Sequence, residues 1–315
     1  MNSETEQQLR KINFSGLVAG TLEWNAVREE VMNALHVYGS FEAVYDPLQD
    51  PKLREKVFKK GITELFDLPV EVKSRSASYR SKLYISNVES IFIYEENKES
   101  IPSYTALMWP QGNTHFCETM ERYVEALKEL DQMIKKMIME GLGVEDKYDD
   151  EMIQKTEYSL SASHYKSEEE GDHKDDHQYL GVHTDPHFVT IVGQDEVDGL
   201  EVLIKSGQWI RPAPFSFIVL VGDSMEAWTN GRIQATIHRV VKNKSNSRRY
   251  VTLFLSIAAK GFIIQAPSEL IDETHPALYK PFDFSDYFQF FISDERFKTN
   301  INKPLKTFCG IENHG

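Results

Sequence analysis

The chain changes its hydrophobic period once, near residue 155, and that change restricts the folds open to it. Before it, apolar residues return every three or four positions. Trp24, Val27, Val31, Leu35 and Tyr38 form one such run, closed by Gly39, as in a helix that ends on a glycine cap. A longer stripe holds Phe116, Met120, Tyr123, Val124, Leu127, Leu130, Ile134, Met137 and Ile138, backed by Glu118, Glu121, Lys128, Lys135 and Lys136. It predicts a helix over about 114–141, stopped at Gly141 and long enough to support a sheet.

From Glu157 onward the pattern is strand. Tyr158–Leu160, Phe188–Val192, Gly199–Leu203, Phe217–Leu220 and Tyr250–Leu255 are short and rich in β-branched and aromatic residues. Turn chemistry separates them, at Asp198-Gly199, Ser206-Gly207, Pro212-Ala213-Pro214 and Asn230-Gly231. Many short strands of this kind predict a fold that is mainly β with flanking α. Its core is a double-stranded β-helix, or jelly roll, with an α-rich N-terminal region and a C-terminal helical cover. The expected division is 1–155 for the α-rich region, 156–262 for the jelly-roll core and 263–315 for a C-terminal lid segment.

Charge narrows the partners. Lys and Arg number 35 against 49 Asp and Glu, a net charge of −14, which repels nucleic acid and anionic membrane surfaces. No apolar run reaches the ~18 residues of a membrane span, and Met1–Arg10 is polar. The two cysteines, Cys117 and Cys309, stand at no metal or redox spacing. The expectation is a cytoplasmic monomer acting on a small molecule.

The chemistry gathers around His183-Thr184-Asp185 and the distant His238. Residues i and i+2 of a strand share a face, so His183 and Asp185 can reach one ion. Two imidazoles and one carboxylate with open positions are the ligand set of a mononuclear non-haem Fe(II) oxygenase. Downstream, Arg249 begins a strand whose apolar face reads Val251, Leu253, Leu255. A buried arginine there needs an anionic partner, and a dicarboxylate co-substrate would bring one. His173 and His177 stand in and just after an acidic stretch, 168–176, that reads as a solvated loop. His187 follows Pro186, which disfavours a helical zinc pair with His183.

At these residues the sequence resembles the plant-type 2-oxoglutarate- and Fe(II)-dependent dioxygenases. The resemblance runs through Gly181–Asp185, Gln194–Val202, Gly207–Ile210, Val221–Ser224, Ala227–Arg232 and His238–Val241, with Tyr38–Asp46 and Leu68–Lys73 upstream. Met108–Asn113 and Tyr279–Asp283 resemble the branch of AOP-type (alkenyl-glucosinolate-forming) and auxin-oxidising enzymes. The resemblance implies that His183, Asp185 and His238 are the iron ligands, that Arg249 binds the distal carboxylate of 2-oxoglutarate, and that the Tyr165 hydroxyl helps to hold it. One departure stands out. Where the family has Arg-x-Ser, this chain has Arg249-Tyr250-Val251, and the loss of one hydrogen bond from a neutral hydroxyl costs about 0.5–1.5 kcal/mol.

The implied activity is oxidation of a C–H bond, by hydroxylation, desaturation, cyclisation or dealkylation, in a small, mainly apolar specialised metabolite or hormone-like acid. O₂ and 2-oxoglutarate are consumed, succinate and CO₂ are released, and ascorbate serves as an accessory reductant. Substrate selection is expected of the stretches Tyr84–Tyr94 and Tyr104–Trp109 and the segment around Phe282–Phe291, with Phe92, Tyr104, Asn230 and Phe254 as contacts. Two alternatives remain at this point: an Fe(II) oxidase of the same fold that does not use 2-oxoglutarate, and a non-catalytic ligand receptor.

Overall fold

A computed structural model of the chain describes residues 8–81, 88–167, 178–242, 247–293 and 303–311. Its strands are β1 (Lys11–Asn13), β2 (Ser40–Val44), β3 (Val88–Glu95), β4 (Thr156–Tyr165), β5 (Gln178–His183), β6 (Val189–Gln194) and β7 (Leu200–Leu203). They continue with β8 (Trp209–Ile210), β9 (Phe217–Val221), β10 (His238–Val241), β11 (Arg249–Ala258), β12 (Ile263–Ile264) and β13 (Phe282–Asp283). A seven-stranded sheet runs in the order β1-β2-β9-β6-β11-β4-β3, and a four-stranded sheet in the order β5-β10-β7-β8. Apart from the parallel β1–β2 pair, neighbours in the large sheet are antiparallel. The two sheets make the jelly roll. The large one takes β1, β2 and β3 from the first 155 residues, so it crosses the expected boundary at 155.

The long helix Thr114–Leu142 underlies the large sheet. Asn113 caps its start by accepting from the Phe116 amide, and Gly143, in the left-handed conformation, closes its end. The expected stop at Gly141 is therefore corrected. Gly141 lies inside the helix because the helix Leu22–Tyr38 crosses there, and a Cβ at 141 would collide with the Met32 side chain. Lys135, assigned by pattern to the outer face, is fully buried instead. It pairs with Asp131 at 3.0 Å and donates to Thr156 Oγ1 at 2.9 Å. Burying an ammonium is tolerable only with such partners.

Period-two alternation divides the large sheet into two faces. Outward, Leu160, Ala162, Ile191, Phe217, Val219 and Phe254 join the helices in one hydrophobic cluster. The Tyr123 hydroxyl of the long helix meets Thr252 Oγ1 at 2.7 Å there. Inward, Tyr165, Val192, Ile218, Leu220 and Val251 meet Leu200, Val202, Ile210 and Val240 of the small sheet in a second cluster. That inner volume is the interior of the jelly roll. Of the stretch Tyr84–Tyr94 expected to take part in substrate selection, the described residues 88–94 belong to the edge strand β3, which pairs with β4.

The C-terminal cover packs over the end of the jelly roll next to the helix Asp223–Trp228. Its described helices are Phe284–Phe291 and Pro304–Cys309, with a single 3₁₀ turn at Ser268–Leu270. It is fastened to the helix Asp223–Trp228 by Tyr279, whose hydroxyl donates to Glu226 Oε1 at 2.5 Å, and by Tyr287, whose hydroxyl donates to Asp223. No described helix is long and apolar enough to cross a membrane.

Candidate metal and co-substrate site

His183 ends β5 and His238 begins β10, and antiparallel register sets the two directly opposite each other. Their rings lie 4.1 Å apart between centroids. Asp185 stands beyond the end of β5, so the strand-face argument for its direction is corrected: a turn aims it. Backbone bonds fix that turn. The Asp223 amide donates to the Asp185 carbonyl at 2.8 Å, the Ser224 amide to the His187 carbonyl at 3.2 Å, and the Gly222 amide to the Phe188 carbonyl at 3.0 Å. The approach is so close that a Cβ on Gly222 would strike the His187 carbonyl oxygen.

The result is a compact donor set. His183 Nε2 lies 3.8 Å and His238 Nε2 3.7 Å from Asp185 Oδ1, and all three ligand atoms are within 4.8 Å of one another. Each imidazole turns Nδ1 toward a backbone carbonyl, Gly181 O at 2.7 Å for His183 and Thr236 O at 3.0 Å for His238. An Nδ1–H that donates to a carbonyl leaves the Nε2 lone pair facing inward, the tautomer a metal requires. Thr190 Oγ1 donates to Asp185 Oδ2 at 2.6 Å, which leaves Oδ1 toward the histidines. Burial raises the Asp185 carboxyl, but the His238, His183 and His187 imidazoles and the Thr190 bond outweigh it and hold the group below its ordinary range. The Asp185 carboxylate is therefore ionised before any cation arrives. Two nitrogens and one oxygen so gathered fit Fe(II).

Next to the turn, burial pushes Asp223 up to about 7 against the pull of Tyr287 and Thr184, helped by the charges of Glu226 and Asp185. Desolvation lowers the imidazole of the half-buried His187, whose ring packs 6.0 Å from that of Phe284. Neither residue contributes to the ligand cluster among the described residues.

Arg249 opens β11 on the inner face and is 1% exposed. Its Nη2 donates to Gln194 Oε1 at 3.0 Å, and its guanidinium lies 4.7 Å over the Tyr165 ring. Its Nε and Nη1 have no hydrogen-bond partner among the described residues. A fully buried guanidinium with two unmet donors is costly by itself and fits a carboxylate delivered by a ligand. Strand β6 serves both halves of the site. Thr190 and Gln194, four residues apart on its inner face, steady Asp185 and Arg249 respectively.

The expected residues thus divide. His183, Asp185 and His238 converge; Arg249, Tyr165 and Val251 line the inner face beside them; Phe92, half-buried on β3, lies on that face opposite Ser161. Three substrate candidates do not join them. Phe254 is on the outer face, stacked on Tyr158 at 5.2 Å, because alternation from Arg249 turns even-numbered residues away. Tyr104 is buried against Phe116 under the helices. Asn230 is occupied as a strut: its Nδ2 donates to the carbonyls of Leu270, His275 and Pro276, and its Oδ1 accepts from the Leu278 amide. Tyr84, His173 and His177 lie outside the described residues. Thr190, Gln194, Asp223 and Tyr287 are functional neighbours that patterning missed.

Comparison with known proteins agrees with this geometry. Residues 151–257 match the model of the 2OG-Fe(II) oxygenase superfamily. The chain is 39% identical over 295 residues to the probable 2-oxoglutarate-dependent dioxygenase AOP1.2 of Arabidopsis thaliana, covering 90% of this chain and 91% of that protein. It is 28% identical to the 2-oxoglutarate-dependent dioxygenase AOP2 of the same plant, over 96% and 98% of the two chains. Among solved structures, the dioxygenase for auxin oxidation of rice superposes with a TM-score of 0.76 at 25% identity, covering 96% of this chain and all of that one. JOX2 in complex with 2OG, Fe and JA gives 0.70 at 25%, over 90% and 85%.

Proposed function

The chain belongs to the 2OG-Fe(II) oxygenase superfamily, and we propose that His183, Asp185 and His238 hold its iron while Arg249 and Tyr165 hold the far carboxylate of 2-oxoglutarate. It is an Fe(II)- and 2-oxoglutarate-dependent oxidoreductase acting on a small molecule. One observation carries the residue assignment: the buried Arg249 guanidinium has two donors without partners on the inner face that the metal cluster also faces. Iron and co-substrate, once bound, supply an oxidant from O₂ with release of succinate and CO₂, and the protein decides which C–H bond is presented.

The chain's own residues prepare that event. The two carbonyl-bonded imidazoles are held in one tautomer, Thr190 orients the Asp185 carboxylate, and Gln194 with the Tyr165 ring fixes the arginine fork. Preorganisation of this kind spares reorganisation when the ligands arrive. An oxidase that dispensed with 2-oxoglutarate would leave the Arg249 donors unmet, and a receptor would need no three-ligand cluster.

The substrate is read as a small, mainly apolar specialised metabolite that enters beside Phe92 and Leu253. Two observations support this: those side chains are half-buried on the inner wall, and solved relatives are named for auxin oxidation and for a complex with JA. The net charge and the pair of free cysteines support a cytoplasmic protein without nucleic-acid partners, and we read it as a monomer. The test is succinate release from the Fe(II) protein across a panel of small apolar acids and their neutral amides. At least one compound should stimulate release severalfold, and Asp185→Ala should abolish it; release that survives Asp185→Ala would refute the ligand assignment.

A further inference from the structure

The inner face of β4 is a ladder of hydroxyls. Alternation from Tyr165 places Ser163, Ser161 and Ser159 on the side that faces the jelly-roll interior, and all three are buried. Across the β4–β11 pair, Tyr165 stands opposite Arg249 and Ser163 opposite Val251. Across the β3–β4 pair, Ser163 stands opposite Ser90, and its hydroxyl donates to Ser90 Oγ at 3.3 Å. Directly opposed residues of an antiparallel pair hold their Cβ atoms about 4.5–5.5 Å apart. The volume beside Arg249 that Val251 leaves without a donor is therefore within reach of the Ser163 hydroxyl.

A carboxylate offers about four acceptor sites. Arg249 has two free donors for them, Nε and Nη1, and Val251 has none. We propose that Ser163, steadied by Ser90, is the hydroxyl donor to the distal carboxylate of 2-oxoglutarate in this chain, moved from β11 to the neighbouring strand. The 3.3 Å Ser163–Ser90 bond is long for a hydroxyl pair and leaves the Ser163 proton easily redirected. When the hydroxyl turns to the carboxylate, Ser90 donates to Ser163 in its place, so the pair stays satisfied with the ligand bound. The inference rests on the proposed co-substrate site and assigns it one more contact.

The experiment is calorimetric titration of 2-oxoglutarate into the Fe(II) protein without O₂, for wild type, Ser163→Ala, Val251→Ser and the double variant. A hydrogen bond to a charged group is worth about a tenfold change in affinity or more. Ser163→Ala should weaken binding about tenfold, Val251→Ser alone should change it less than about twofold, and the double variant should recover most of the loss. Wild-type affinity in Ser163→Ala, or a double variant no better than Ser163→Ala, overturns the proposal. Absence of binding to the wild type would instead refute the co-substrate site itself. Should Ser163→Ala fail to fold, the isosteric pair Ser163→Thr and Ser163→Val differ only in the hydroxyl; Thr binding no tighter than Val overturns the proposal.

Discussion

The two faces of β11 come from one stretch of chain and do opposite work. Outward, Tyr250, Thr252 and Phe254 fasten the sheet to the helical layer, with Phe254 stacked on Tyr158 and Thr252 bonded to Tyr123. Inward, Arg249, Val251 and Leu253 face an interior where a guanidinium has two unmet donors and serines stand in a row. The outer face is closed by packing, with only the neutral hydroxyls of Tyr250 and Ser256 lacking a partner there among the described residues, whereas the inner face leaves a charged guanidinium incomplete for ligands. Stability and binding are thereby separated by a single residue step along the strand.

The separation can be broken from the outer side first. Phe254→Ala should cost about 3–5 kcal/mol of stability, the range for removing a fully buried aromatic. The folded fraction should still bind 2-oxoglutarate with near wild-type affinity. Thermal melts with and without ligand check this, and a large loss of intrinsic affinity would mean that the two faces are not independent.

A smaller effect belongs to the β3 edge. Glu89 accepts from Lys73 Nζ at 2.8 Å and pairs with Lys166 at 2.7 Å. Burial raises its carboxyl, but the bonds and charges of Lys166 and Lys73 prevail and hold it below its ordinary 4.5. The unfolded chain therefore binds the proton first on acidification. The stabilisation is complete above about pH 4.5 and is lost as pH falls through the lower folded value. Glu89→Gln should flatten that acid limb and cost about 2 kcal/mol at neutral pH. This is below the 3–5 of a fully buried pair because Lys166 remains 26% exposed. Melting curves at pH 4 and pH 7 decide it, and an unchanged acid limb would remove Glu89 as its source.

Much of this division was legible in the sequence. The ligand triplet showed in His183-x-Asp185 and the remote His238, and Arg249 in its place at the head of a β-branched run. Alternation from Arg249 already placed Phe254 on the outer face, so its assignment as a substrate contact set aside a signal that was present. Other features had no local signal. Thr190 and Gln194 read as ordinary strand residues until register brings them to Asp185 and Arg249. Lys135 looked like a surface lysine because its partners Asp131 and Thr156 meet it only in the packed helix–sheet layer. Asn230 adopts φ +51, compatible with the turn read from Asn230-Gly231, but its four backbone partners come from a segment 40 to 48 positions downstream. The strands that carry the histidines, β5 and β10, were assumed from the ligand spacing and did not stand out as runs of β-branched and aromatic residues.

The central claim is that the inner face is completed by a dicarboxylate spanning from the three-ligand cluster to Arg249. Its most direct test is titration of the Fe(II) protein with 2-oxoglutarate in the absence of O₂, following the weak visible absorption of the co-substrate complex. The account predicts a saturable band in the wild type and a requirement for at least about tenfold more 2-oxoglutarate in Arg249→Ala. Iron binding without any band, or an Arg249→Ala protein that titrates like the wild type, would contradict it.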